Sequence, residues 1–575
     1  MLSIKTHGMV RQRFVAVTGL AIILAAATIG SMKITHETKG KNEFLGETGN
    51  IRCASDPIIL VDGNAQLAAV SSSGDGTVGT PYRIENKVIN ASGTGSAISI
   101  QNTTDHFIIH NCTVFNSGIL LGDAGIRLVN TTNANVSGNI ASYNGFDGIS
   151  SIGSINSVIS GNTALHNGYR GIALIKFNNS MISGNNASYN PYIGMDLENS
   201  NNNMVSANTA SHNNNNGMYL SGKNNTVSGN NASYNTMYHG IFLDNSGNNT
   251  VSGNTASHNA GYGMKLVTSN DSVISGNNAS YNNVEGIYLE HSNNSVISGN
   301  NASCNEYSGI HLYGSNNSNL SGNIASYNNG AGIILRDSNK SVITGNTASY
   351  NKNGGILLQG SGSGSSNNSV ITSNTASYNE NGSGIGSIGS NNTILDNTAS
   401  YNVNGTGISS IGSINTISGN TALFNTYTGV SLAGSNNTVS GNNASYNNGD
   451  GIFLDNNPIT SAVSRYNTIS GNNATYNGND GISVAGSNNT ISYNTASYNS
   501  YGVELYTTSS FNNITYNVLH YNTKACILDK GSSNVASNND CLENPFVPGY
   551  EPWLLTIVAI AAIAAIIAKR KARRA

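Results

Sequence analysis

Eleven side chains between Asp196 and Asp337 have types suited to holding or processing a sugar: Asp196, Glu198, Tyr219, Phe242, Asp244, Lys265, Tyr288, Glu290, His311, Tyr313 and Arg336. Aromatic rings stack on pyranose faces, and carboxylates accept hydroxyl protons. Paired carboxylates can also divide acid and base roles in glycoside hydrolysis. Glu198, Asp244 and Glu290 recur at intervals of 46 residues and are the candidates for catalysis. Asp196, Tyr219, Phe242, Lys265, Tyr288, His311, Tyr313 and Arg336 are the candidates for ligand contact.

A repeat positions these residues. Gly followed by Ile, Met or Val recurs every 23 residues from Gly125 to Gly355 and continues, with two insertions, to Gly502. In the unit that starts at Gly171, Ile172 and Leu174 alternate with Ala173, and Ile182 follows near Asn185, Ala187, Tyr189 and Asn190. Period-two alternation in short β-branched stretches, broken by Asn, Gly and Ser, is a strand pattern. No stretch of ten residues in the repeat carries helical spacing. A 23-residue unit of about three short strands is one coil of a parallel β-helix. The fold class is therefore all-β, a single-stranded right-handed parallel β-helix of about 18–20 coils with adjacent strands about 4.8 Å apart.

Two Asn columns five residues apart begin at Asn111/Asn116 and end at Asn517/Asn522. Stacked amides donate and accept in turn, so such columns can form ladders at the bends. The place before the second Asn is mostly aromatic, from Phe115 and Tyr143 to Tyr498 and Tyr521. Its parity with the Ala column points it inward or to a corner. His166, His212, His258 and Cys304, the last read as a buried free thiol, recur in that column every 46 residues, two coils or roughly 9.6 Å apart. Ligands of one transition metal lie about 2.0–2.3 Å from it, so these residues cannot share an ion. Neither a metal nor a cofactor is expected.

Only 9% of the 575 residues are charged, and the net charge of −3 offers no basic field for nucleic acid. Residues 1–31, with Lys5, Arg11 and Arg13 before an apolar run, read as a signal peptide or N-terminal anchor, and 32–50 as a linker. An N-terminal cap and first coil at 51–92, a β-helix at 93–541 and a stalk at 542–552 follow. Residues 553–568 form an apolar run ending in a basic tail, 569–575, read as one C-terminal transmembrane helix with its tail in the cytoplasm. The expected product is a body held at the cell surface.

Gly-Ile-x-Leu followed by Asn-x-Ile-Ser-Gly-Asn resembles the right-handed β-helix repeat proteins of the NosD-like and carbohydrate-binding/sugar-hydrolase group, over roughly residues 57–541. The entry segment Ile59–Asn64 resembles the opening of archaeal surface members. Val547-Pro548-Gly549-Tyr550 resembles archaeal sorting tails, with Tyr where those carry Phe. The resemblance implies a pectin-lyase-like solenoid with a surface structural, adhesive or carbohydrate-binding role, and alternatively a polysaccharide lyase, a glycoside hydrolase or copper delivery. The polygalacturonase set of Asn-Thr-Asp, Asp-Asp and Arg-Ile-Lys is absent, and the 11 His, 9 Met and 5 Cys form no soft-ligand cluster. Asn186, Asn231, Asn278, Asn301, Asn443 and Asn473 head Asn-x-Ser/Thr sequons and are candidates for glycosylation. Asn111 also heads one, but its place in the ladder would block it. Cys526 and Cys541 can staple the last coil.

Overall fold

The computed structural model describes residues 55–360, 365–456 and 464–543. The signal, linker, transmembrane helix and basic tail expected at the two ends lie outside them. Among the described residues, no helix is long and apolar enough to cross a membrane.

Each Gly-Ile-x-Leu segment becomes a short strand such as Ile172–Ile175, with Ile172 and Leu174 fully buried. Ile172 lies beside Ile149 on one side and Met195 on the other, so parallel pairing repeats the 23-residue step. Twenty such strands stack into one sheet, giving a right-handed solenoid of about 19 turns. A second wall of three-residue strands, such as Met181–Ser183, places Val136, Ile159, Ile182 and Val205 at the opposite side of the core. A third side is held by single bridges from Ile140–Thr163 to Val518–Asp540. The core between the walls is a column of Ile, Leu, Val, Met and Ala, and each large side chain contributes about 1.5–3 kcal/mol on burial. At the N-terminal end the helix Asn64–Val70 places Leu67 in that core. At the other end Cys526 and Cys541 form a disulfide.

The core is so thin that the repeat glycine has no space for a side chain. A Cβ on Gly171 would meet Gly194 O at 2.7 Å and the Ala187 Cβ and Asn190 Nδ2 at 2.8 Å. Glycine here permits close approach of two walls, the role that lets Ala and Asn share the opposite bend.

The Asn columns hydrogen-bond to themselves. Asn323 Nδ2 donates to Asn346 Oδ1 at 2.9 Å and to Ile297 O at 2.8 Å, and Asn323 Oδ1 accepts both the backbone N–H and the Nδ2 of Asn300. The same links run from Asn139 to Asn539 in one column and from Asn144 to Asn522 in the other. The first pair read from sequence is displaced by one residue. Register pairs His110 with Ser137, so Cys112 occupies the place of Asn139, while Asn111 and Asn116 stand exposed at left-handed turns. Asn111 is therefore not enclosed in the ladder, and Phe115 lies outside the aromatic column. A third corner column, unrecognised in the sequence, links Ser157, Ser180, Asn203 and Asn225 and continues through Asn392, Asn415, Asn467, Asn489 and Asn512.

The aromatic column points outward. Tyr143 is 67% exposed and Tyr281 56%, and both adopt φ near +60°. Alternation of faces holds only along extended backbone, and a left-handed residue rotates its side chain out of that sequence. This conformation costs roughly 1–2 kcal/mol without glycine, offset by ring stacking of about 0.5–1.5 kcal/mol per pair. Tyr327 and Tyr350 stack at 4.9 Å and 3°. Cys304 takes one place in the column as a free, half-buried thiol rather than a buried one.

The residue before the repeat glycine caps the next coil. Asp450 Oδ1 accepts the Asp480 N–H and Asp480 Oδ1 the Tyr501 N–H, both at 3.1 Å. Glu504 lies against Asp480 and is held by Lys530 Nζ at 2.6 Å. Burial and the shared hydrogen bond with Glu504 push Asp480 up to about 7, whereas Glu504 is drawn down by Asp480 and Lys530. Asp480 therefore keeps its proton to a higher pH than Glu504 does.

Two outcomes follow from these contacts. Asn323→Ala takes the acceptor from the Asn300 N–H and Nδ2 and removes one of the donors to Ile297 O, at about 1–3 kcal/mol for a buried group left unpaired. Urea unfolding should show a clear loss of stability, against about 0.5 kcal/mol or less for Asn301→Thr, a change the repeat itself makes at Thr347. Second, the folded protein binds a proton at Asp480 that the unfolded chain releases near pH 4. That stability is complete below pH 4 and falls as pH rises to about 7. Thermal melts from pH 5 to pH 8 should show the decline, and Asp480→Asn should flatten it.

Candidate functional site

The outward side chains of the main sheet are set by strand register. One column runs Ala173, Asp196, Tyr219, Phe242, Lys265, Tyr288, His311 and Ile334 through successive coils. Beside it, register places Val267 between Asp244 and Glu290, and then Tyr313 and Arg336. A third line comes from the incoming bend and includes Asp147, Arg170, His239, Tyr262 and Glu285. Strand alternation alone does not include this line. Its signal was available, since each stands immediately before a repeat glycine. Only the coil geometry shows that these side chains lean over the strip.

Asp196 departs from its expected role at the ligand surface. It is 2% exposed and accepts from Arg170 Nη1 at 2.8 Å, while Arg170 Nε and Nη2 bind Asp147 at 3.1 and 3.0 Å. The Tyr169 ring lies 5.3 Å from the guanidinium, in a stack with Phe146 and Tyr192. Burial outweighs the pull of Arg170 and holds the Asp196 carboxyl up to about 6. The partner that withdraws Asp196 stands one coil back, on the bend.

The centre of the strip is an aromatic and charged cluster. Tyr219 meets Phe242 edge-on at 5.4 Å and donates its hydroxyl to Asp244 Oδ2 at 3.3 Å. His239 stands edge-on to Phe242 and its Nδ1 accepts the Tyr262 N–H at 3.2 Å. Burial, assisted by Lys265, pushes His239 down to about 4, so the ring is neutral at pH 7. Burial also holds the Tyr219 and Tyr262 phenols up at about 12. The Lys265 ammonium lies 5.4, 5.3 and 6.0 Å from the ring centres of Phe242, Tyr262 and Tyr288. Tyr288 is edge-on to His311, whose Nδ1 is 3.2 Å from Glu285 Oε1. Glu285 Oε2 and His311 Nε2 are buried without a protein partner.

Apart from Tyr262 and Tyr288, which stack at 5.0 Å and 22°, the ring pairs of this cluster are steep, unlike those of the corner ladder. Stacked ladder rings cover one another's faces, whereas edge-on pairs leave ring faces to meet a ligand. Asp244 and Glu290 stand two coils apart, roughly 9.6 Å by strand spacing, near the wide end of the inverting-glycosidase range of about 6.5–9.5 Å. Glu198 lies in the same column, half-buried. Arg336 donates to Gln359 at 3.3 Å, and Tyr313 tilts against His291 at 5.5 Å. The sequon residues Asn231, Asn278, Asn301 and Asn473 are exposed, with Asn186 and Asn443 half-buried.

Comparison with protein families gives two matches. The model "Right handed beta helix region" covers residues 96–238 and 383–541, and "Periplasmic copper-binding protein (NosD)" covers 189–294, 231–365 and 282–404. No curated protein matches the chain. Among solved structures, the A-module of the Azotobacter vinelandii mannuronan C-5 epimerase AlgE4 is similar at 15% identity, covering 51% of this chain and 83% of that one, TM-score 0.31. The Dettilon tailspike protein is similar at 16% identity, covering 58% and 60%, TM-score 0.33. DFA-IIIase from Arthrobacter chlorophenolicus A6 without its lid is similar at 12% identity, covering 54% and 70%, TM-score 0.24. Likenesses this faint say nothing about what the chain does.

The copper in one family description does not fit the residues present. Among the described residues, no group of three or more His, Cys, Asp or Glu can hold a metal ion. Tyr189 stacks between His166 and His212, and Tyr234 between His212 and His258, so those imidazoles cannot converge. The stacked Gly-Ile strands and Asn rungs, with a β-helix match spanning more than half of the sequence, make this chain a NosD-like member of the right-handed parallel β-helix repeat family.

Proposed function

We propose that the chain is a cell-surface protein whose outward strip, centred on residues 219–313, binds glycans. On this reading residues 1–31 direct secretion, the 553–568 helix anchors the protein, and sequons such as Asn278 carry glycans. Support for glycan binding comes chiefly from the rings of Tyr219, Phe242, Tyr262 and Tyr288, which make edge-on contacts with one another or with His239 and His311 and stand among Asp244 and Lys265 at one-coil steps. Each coil offers a ring face or a polar group at a regular rise, which suits a linear chain of hydroxylated rings. Neighbouring sequons constrain modification, because Asn278 and Asn301 are bridge partners and two glycans there would collide.

A glycan array probed with the full-length protein in detergent tests the reading. Phe242→Ala and Tyr288→Ala should each weaken binding about tenfold or more, the scale of a lost aromatic anchor. Tyr401→Ala, in the corner ladder, should leave it unchanged. Loss of binding in the ladder variant alone would place the site elsewhere.

A second reading, a glycoside hydrolase, is favoured by the spacing of Asp244 and Glu290. Asp244→Asn with Glu290→Gln should abolish release of reducing ends from a polysaccharide if these carboxylates are catalytic. Unchanged glycan retention by a wild type that shows no turnover would leave binding as the function.

A further inference from the structure

We infer that Lys265 is the anchor of an anion subsite, so that the glycan bound by the strip carries an acidic substituent. The inference rests on the glycan reading above and names its ligand class. Lys265 is half-buried, and its ammonium lies over the rings of Phe242, Tyr262 and Tyr288. An ammonium carries three donors and no acceptor. Among the described residues, Lys265 forms no ion pair and donates no hydrogen bond to the protein. Other cations of this face have protein partners, Arg170 with Asp147 and Asp196, Arg127 with Ser99 and Arg336 with Gln359, while Lys524 lies over the Tyr501 ring near the Glu504 carboxylate.

Two of the nearest acids have other partners. Asp244 accepts from Tyr219, and Glu285 lies against His311. Glu290, in the adjacent column, forms no ion pair with Lys265 and points along the second line of the strip. Ring faces attract the ammonium but cannot accept its donors as a carboxylate does. A carboxylate or sulfate on a sugar ring supplies those acceptors, while the same sugar rests on the neighbouring rings. Beside Tyr288, Glu285 Oε2 in the same coil and His311 Nε2 in the next also lack protein partners, so the protein's own hydrogen bonding is incomplete there.

The test uses full-length protein in detergent and titration calorimetry with three probes: a polyuronate oligosaccharide, its carboxyl-reduced counterpart and a sulfated oligosaccharide. Wild type should bind the polyuronate about tenfold more tightly than the reduced form, the scale of one charge-assisted contact in a half-buried site. Lys265→Gln should abolish that preference, so that the variant binds the polyuronate and its reduced counterpart with equal affinity. Lys265→Arg should keep the preference, and raised salt should diminish it in wild type. Equal or tighter sulfate binding would assign the subsite to charge, and a carboxylate preference would assign it to planar geometry; both support an anion subsite. Equal affinity of wild type for the polyuronate and its reduced form, or an unchanged preference in Lys265→Gln, would overturn the inference while leaving the glycan reading standing. Failure of wild type to bind any of the three would overturn both.

Discussion

Every residue of this solenoid lies against the same position of the next coil, one strand spacing away. That constraint organises the rest of the molecule. Under it, a side chain is suitable when it is complementary to its own copy. Asn meets the condition because its amide donates at one end and accepts at the other, so Asn323 satisfies Asn300 while it is satisfied by Asn346. Ile and Leu meet it by packing and Tyr by ring stacking. Like charges do not meet it, since they would stack at close range in a thin, dry column. The low charge content and abundant Asn of the chain both follow.

The same constraint makes exceptions informative. Where unlike residues stand in successive coils, the self-complementary rule is broken and other contacts must compensate. Arg170 between Asp147 and Asp196 does so with two carboxylates. Asp450, Asp480 and Glu504 do so by retaining a proton and recruiting Lys530. The cluster around Lys265 departs furthest, for it stacks Phe, Lys, Tyr and His in one column and leaves donors and acceptors without protein partners. Natural solenoids can afford such irregularity where a ligand completes the contacts, which is why the strip rather than the ladder is the candidate site.

Much of this architecture was legible from residue order. The 23-residue step, the buried Ile and Leu, the wall formed by Ile159 and Ile182 and the self-bonding Asn columns are local patterns repeated many times, and repetition suppresses error. Expectation and structure part where local backbone geometry or composition departs from a uniform repeat. At the first coil, Asn111 was aligned with Asn139, although pairing of His110 with Ser137 puts Cys112 there. The aromatic column was assigned by parity, which fails at a residue with positive φ such as Tyr189. The Ser/Asn corner from Ser157 to Asn512 is not legible as a column in the sequence because its composition changes along the chain.

The sequence by itself determined the coil, because hydrophobic period, Gly spacing and amide columns are properties of neighbours along the chain. It also identified the strand residues of the strip, since these alternate with the core. Only the tertiary structure decided which of them remain available. Asp196 is consumed by Arg170, 26 residues away in the chain, and Glu285 reaches His311 across the same separation. These contacts join a bend in one coil to a strand in the next. Their partners are chosen by how far each bend side chain leans over the sheet, a rotation that no periodicity encodes.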